Sequence, residues 1–218
     1  MTLTIEKRAL GGEVIAPASK SVLHRLLICA ALSDKSTQLT RCSLSQDITA
    51  TAACLQALGA TIVITGDTIA VEPIRKANTQ ALLDCGESGS TLRFLLPIAA
   101  ALGGATFTGR GRLAQRPLSP LYELLAENGC ELTPNGKFPL TVTGRLKGYD
   151  FAIDGGVSSQ FISGLLMATP LLGGECVIRV TGTVESRPYI DLTVAAMRRF
   201  GVNIGQKGNT YIVPRGNG

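Results

Sequence analysis

Three stretches of the chain are apolar at nearly every position: SKSVLHRLLICAALS (19–33), GSTLRFLLPIAAALGG (89–104) and SSQFISGLLMATPLLGG (158–174). A surface helix keeps a polar stripe toward water. These three keep almost none, so they read as buried helices. Milder amphipathic patterns at about 47–58, 118–128 and 189–200 read as surface helices. Two runs ending in Thr-Gly, ATFTG (105–109) and ECVIRVTG (175–182), read as strands that follow the second and third buried helices.

The pattern repeats. LQALGATIVITGDTIAVEP (55–73), LLAENGCELTPNGKFPLTVTG (124–144) and MRRFGVNIGQKGNTYIVP (197–214) each read as helix end, Gly, strand, tight turn, strand. Their glycines Gly59, Gly129 and Gly201 are 70 and 72 residues apart, and Ser19, Ser90 and Ser158 of the buried helices are 71 and 68 apart. Each Gly suits the left-handed position that ends a helix. The turns are expected at Gly66-Asp67, Asn135-Gly136 and Lys207-Gly208-Asn209. Each unit is thus predicted as βαβαββ, with a strand ahead of each buried helix. Three units make one α/β (α+β) domain: three sheets around a cluster of buried helices, with pseudo-threefold symmetry. The alternative is a doubly wound open sheet. Tight hairpins, which need antiparallel pairs in every unit, count against it.

The chain has 218 residues, 45% hydrophobic and 17% charged, enough apolar surface for a sizeable core and too much for a disordered chain. Its net charge of +5 favours anionic partners. The longest nearly apolar stretch, Phe94 to Ala105, is 12 residues, whereas a membrane span needs roughly 20. MTLTIEKR has no apolar run after its positive charges, so no secretory leader is expected. The six cysteines form no CxxC pair and read as reduced core thiols of a cytoplasmic protein. One His is too few for the common zinc patterns, and no metal site is expected. With no Trp and 5% aromatic residues, the chain offers little to stack on single-stranded nucleic acid, and no nucleic-acid or membrane partner is expected.

The front of each buried helix carries small hydroxyl residues. The first has Ser19-Lys20-Ser21 with Arg25 a turn later, the second Ser88-Gly89-Ser90-Thr91 with Arg93, and the third Ser158-Ser159-Gln160. Unpaired N–H groups and the helix dipole favour an anion at such ends. Any one of these serines is more simply an N-cap. Three equivalent fronts, two followed by a cation, point to a phosphate or carboxylate site at one end of the helix cluster. An Arg-Pro pair recurs at Arg116 and Arg187, 71 residues apart, and one of the two is readily structural. Ser186 and Tyr189 flank the second pair. His24, the only histidine, reads as a core or lining residue. Asp47 and Asp191 read as caps of surface helices. No GxSxG elbow, P-loop or GxGxxG occurs, and no carboxylate stands out as a general acid or base.

Five pieces of sequence, PASKSVLHR (17–25), CGESGSTLRF (85–94), QRPL (115–118), DGGVSSQF (154–161) and SRPYID (186–191), resemble the N-terminal half of the 5-enolpyruvylshikimate-3-phosphate synthase family, the enolpyruvyl transferases of aromatic amino acid biosynthesis. The resemblance covers essentially the whole chain. It implies two domains of three βαβαββ units closing over substrates, transfer of enolpyruvyl from phosphoenolpyruvate to the 5-hydroxyl of shikimate 3-phosphate through a tetrahedral adduct, and no metal or organic cofactor. It also implies roles. Lys20 reaches phosphoenolpyruvate beside the reacting hydroxyl, and Ser21 and Arg25 hold the shikimate moiety. Ser158, Ser159 and Ser186 bind the 3-phosphate, and Tyr189 lines the shikimate pocket. Gln160 lies between both substrates. Gly89 lets phosphoenolpyruvate approach the backbone, and Arg116 clamps its phosphate. Arg93 and Asp47 match positions near the site. Glu87 and Phe94 depart from the family pattern, where Asn and Pro are common; a carboxylate facing phosphoenolpyruvate repels it unless it is protonated, paired or turned away.

The resemblance further implies that residues 14–214 form the N-terminal domain, that 1–13 pack with a second domain, and that 215–218 are a hinge remnant. The second domain would supply the acidic general acid/base groups, so the chain alone is expected to bind shikimate 3-phosphate weakly and turn over nothing. An enolpyruvyl transferase acting on UDP-N-acetylglucosamine would carry a reactive Cys in the loop at 110–116, and none is there. An RNA 3′-phosphate cyclase would carry a histidine near its end, and none is there. A non-enzymatic anion-binding module is the remaining alternative.

Overall fold

The computed structural model describes residues 11–134 and 136–216. Six α-helices and eleven strands alternate along it. The first unit runs α1 (Lys20–Leu32), β1 (Thr37–Leu39), α2 (Gln46–Leu58), β2 (Thr61–Thr65) and β3 (Thr68–Glu72). The second runs β4 (Leu82–Asp84), α3 (Gly89–Leu102), β5 (Ala105–Thr108), α4 (Leu121–Glu127), β6 (Cys130–Leu132) and β7 (Leu140–Gly144). The third runs β8 (Asp150–Asp154), α5 (Ser159–Ala168), β9 (Cys176–Thr181), α6 (Arg187–Arg199), β10 (Gly205–Lys207) and β11 (Thr210–Val213). No helix among the described residues is long and apolar enough to cross a membrane.

Among the described residues there are three small sheets, ordered β1-β3-β2, β4-β5-β7-β6 and β8-β9-β11-β10. In the last two, the first pair is parallel and the rest antiparallel. A single open sheet is therefore excluded. The second and third units are βαβαββ as expected. The first departs from that expectation: no strand precedes α1 among the described residues, and its sheet has three strands. Val14 and Ile15, just upstream of α1, are exposed.

The helix ends follow the sequence signals. Gly59 caps α2 at φ 118°, and Gly129 and Gly201, one residue past the caps of α4 and α6, sit at φ 91° and 85°. Gly66 and Gly208, at φ 60° and 61°, turn the first and third hairpins. The second connection is not tight. Residues 133–139 separate β6 from β7, and Asn135 of the expected turn lies outside the described residues.

Helices α3 and α5 are almost wholly buried and pack on each other. Their contact has a local cause. Pro97 inside α3 has no N–H for the Arg93 carbonyl. Gly164 of α5 presses against that carbonyl, where a Cβ would come within 2.5 Å. Helix α6 packs against both α1 and α5, and α2 against α1. Side chains from the front of α1 reach α3 and α5: Arg25 lies 4.9 Å from the Phe94 ring centroid and bonds Ser163. The buried helices thus cluster, with their N-termini toward one rim.

Candidate functional site

Two of the helix fronts are set by the same turn. After β4, Asp84 Oδ1 accepts from the Gly86 N–H at 2.9 Å, and after β8, Asp154 Oδ1 accepts from the Gly156 N–H at 2.9 Å. Each carboxylate bends the chain out of its strand and into a helix. Ser19, Ser88 and Ser158 then cap α1, α3 and α5, accepting from Val22, Thr91 and Gln160 N–H. Capping is therefore the role of one hydroxyl at each front, and the next two positions are released. These are Lys20-Ser21, Gly89-Ser90 and Ser159-Gln160.

The three fronts are tied together by side chains. Gln160 donates through Nε2 to Ser90 Oγ at 2.8 Å and accepts through Oε1 from Arg93 at 2.9 Å. Arg93 also donates to the Pro117 carbonyl at 2.9 Å, which fixes the loop carrying Arg116. Arg25 donates to the Ser21 and Tyr189 carbonyls at 2.7 and 3.0 Å, and to Thr193 and Ser163 hydroxyls at 2.6 and 3.3 Å. Lys20 pairs with Asp47 at 2.6 Å, so α1 is tied to α2. Asp47 caps nothing, since Ser45 is the cap of α2, and Asp191 lies inside α6, whose cap position is Ser186.

Between the fronts lies a cavity of about 330 Å³. Ser21, Arg25, Arg93, Arg116, Ser158, Ser159, Gln160, Ser186 and Tyr189 all line it. Lys20, Asp47, Gly89 and Glu87 do not, although Gly89 abuts the wall: a Cβ there would lie 2.6 Å from an Arg116 guanidinium nitrogen. Glu87 is turned toward the loop at Gly111, where a Cβ would come 2.6 Å from its carboxyl carbon. Of the two Arg-Pro pairs, Arg116 faces the cavity and Arg187 is structural, bonding Asn209 of the β10–β11 hairpin.

The electrostatics are those of an anion site. Arg25 is 2% exposed. Burial lowers its pKa to about 10, which leaves it charged at neutral pH. Burial and the neighbouring Arg116 charge lower that of Arg93. None of the three guanidiniums forms an ion pair among the described residues. Glu185, the one carboxylate side chain in the lining among the described residues, pairs with none of them. Ser186 sits at φ 54°, unusual for a residue with a side chain, and its hydroxyl makes no capping bond.

Ser163 and Thr193, which hold Arg25 from beneath, were not singled out by the sequence reading. Each lies four residues after a named position, Ser159 and Tyr189, one turn down the same helix face. Ser90 and Phe94 also line the cavity, as does His24, in keeping with its expected lining role.

Comparison with known proteins adds four findings. The sequence profile described as EPSP synthase (3-phosphoshikimate 1-carboxyvinyltransferase) matches residues 5–217. A 3-phosphoshikimate 1-carboxyvinyltransferase of Clostridium kluyveri is 40% identical over 99% of this chain, which spans 51% of the relative. One from Clostridium beijerinckii is 43% identical over 99% of this chain and 52% of the relative. The chain therefore spans about half the length of the curated relatives it matches. An EPSP synthase structure from Acinetobacter baumannii superposes with a TM-score of 0.77 at 23% identity, over 95% of this chain and 47% of that one, and shows the shared fold.

Proposed function

This chain belongs to the EPSP synthase family, and from that premise we propose that it is the shikimate-3-phosphate-binding half of an enzyme that transfers enolpyruvyl from phosphoenolpyruvate to the 5-hydroxyl of shikimate 3-phosphate. The observation that carries the reading is Arg25. It is a buried guanidinium with no carboxylate partner among the described residues, in a cavity it shares with Ser158, Ser159 and Ser186. A buried cation is costly unless a counter-charge arrives. A phosphorylated sugar acid supplies one.

In this reading Ser158, Ser159 and Ser186 donate hydroxyls to the 3-phosphate, helped by the N-terminus of α5. Ser21 and Arg25 hold the shikimate moiety, with Tyr189 against its ring. Arg116 has no side-chain partner among the described residues to give up before it clamps the phosphate of phosphoenolpyruvate, which lies over Gly89. Gln160, already bonded to Ser90 and Arg93, stands between the two substrates. Lys20 lies beside the reacting hydroxyl, and its pairing with Asp47 holds the ammonium at the head of α1. Addition of the 5-hydroxyl across the phosphoenolpyruvate double bond, its oxygen to C2 and a proton to C3, gives the tetrahedral adduct, and loss of phosphate together with a C3 proton restores the double bond and completes the transfer. Neutralising that leaving phosphate is the work of Arg116 and Lys20.

The relatives are about twice as long. The remaining catalytic groups are assigned to a second domain, and the 218-residue chain by itself binds without turnover. Calorimetric titration with shikimate 3-phosphate, UDP-N-acetylglucosamine and a 3′-phosphorylated RNA tests the reading. Binding of the first alone supports it. Preferential binding of either of the others contradicts it, as does phosphate release by the chain at enzyme-like rates.

A further inference from the structure

Arg25 is held by two hydroxyls that stand outside the cavity. Thr193 on α6 and Ser163 on α5 are fully buried, and neither lines it. Arg25 Nε lies 2.6 Å from Thr193 Oγ1, and Nη2 lies 3.3 Å from Ser163 Oγ. A guanidinium only donates, so both hydroxyl oxygens accept. The hydroxyls are themselves fixed. Thr193 Oγ1 lies 2.8 Å from Ser163 Oγ and 3.1 Å from the Tyr189 carbonyl, four residues back on its helix. The same carbonyl accepts from Arg25 Nη2 at 3.0 Å, which closes the cluster.

Two properties of this support bear on binding. It is neutral. A carboxylate at either position would satisfy the same N–H groups and also cancel the charge that an anion needs, whereas a hydroxyl satisfies them and leaves the charge in place. It also joins three helices. Arg25 belongs to α1 and has a long, flexible side chain, and ordering such a side chain at the moment of binding weakens affinity. Bonded to α5 and α6, the guanidinium is ordered before a ligand arrives.

Resting on the anion-site reading, we propose that Thr193 and Ser163 are positioning residues for shikimate 3-phosphate. They act through Arg25, preorganising its guanidinium without neutralising it, and make no contact with the ligand.

Two substitutions of Thr193 in the 218-residue chain separate positioning from packing. Thr193→Val keeps the branched shape and removes the acceptor; Thr193→Ser keeps the acceptor and removes a buried methyl. Thr193→Val is expected to weaken shikimate 3-phosphate about tenfold in calorimetry, the loss of one hydrogen bond to a charged group. Thr193→Ser is expected to melt at a lower temperature than the parent chain yet to bind within about twofold of it. Ser163→Ala removes only the longer bond and is expected to weaken binding about fivefold, which decides the matter should Thr193→Val fail to fold. The Arg25 Nε–H signal of the nitrogen-15-labelled chain, identified by its loss in Arg25→Met, gives a spectroscopic signature. It is expected to exchange slowly with solvent in the parent chain and in Thr193→Ser, and to move upfield in Thr193→Val. Parent affinity in Thr193→Val or Ser163→Ala overturns this inference and leaves the anion-site reading intact. Equal losses of affinity in Thr193→Val and Thr193→Ser, or an Arg25 Nε–H that exchanges freely in the parent chain, do the same. Failure of the parent chain to bind shikimate 3-phosphate overturns both.

Discussion

Arg25 concentrates the residue-scale argument. Its guanidinium spends four of its five N–H donors on two carbonyls and two hydroxyls, all neutral, so its geometry is fixed while its charge is left uncompensated. Arg25→Met keeps much of the packing and removes the charge. We expect it to lower anion affinity about 100-fold, the loss of about two charge-assisted interactions. Phosphate ligands that raise the melting temperature of the parent chain by mass action should then raise that of the variant hardly at all. His24 supplies a second residue-scale prediction. Its pKa falls from 6.5 to about 4 on folding because burial disfavours the charged ring. Between these values the unfolded chain binds the extra proton, so stability falls with falling pH. From pH 6.5 to about pH 4.5 this group should withdraw about 2 kcal/mol. Urea unfolding at the two pH values, parent against His24→Phe, isolates that share; equal pH slopes would rule it out.

At the scale of elements, two glycines separate packing from binding. Gly164 lies where α5 meets α3, and a Cβ there would strike backbone, 2.5 Å from the Arg93 carbonyl. Gly164→Ala should cost about 3 kcal/mol in stability despite the better helix propensity of Ala, measured by denaturant unfolding. At Gly89 the added Cβ would strike the far end of Arg116, which can swing aside. Gly89→Ala should leave stability within about 1 kcal/mol and weaken anion binding by displacing that guanidinium. A stable Gly164→Ala, or a Gly89→Ala with full affinity, would refute the respective packing. The helices themselves were legible in the sequence, because their burial leaves no polar stripe and their ends carry glycines that only left-handed backbone explains. The division of labour at each front was not. Ser19 and Ser88 cap without lining the cavity, whereas Ser158 does both, and nothing in the composition of the three fronts distinguishes them.

For the whole molecule, the period of about seventy residues foretold three sheets, and two of them repeat the same strand order. The first sheet lacks the expected leading strand among the described residues, although β1 stands at its edge, where β4 and β8 pair in the other two units. The cavity residues came together from four helices because the repeat aligns their fronts, which is a property of the fold and invisible in any single segment. Arg25 illustrates this. Its basic side chain in an apolar helix was visible, but the Ser163 and Thr193 hydroxyls that hold it lie 138 and 168 residues away in sequence. The measurement that bears most directly on the account is an amide chemical-shift map of the labelled chain titrated with shikimate 3-phosphate. The account predicts shifts concentrated at Ser21, Ser90, Ser158, Ser159, Gln160 and Ser186, the rim where the helix fronts converge. Saturation with shifts scattered elsewhere, or confined to a single helix front, would contradict it.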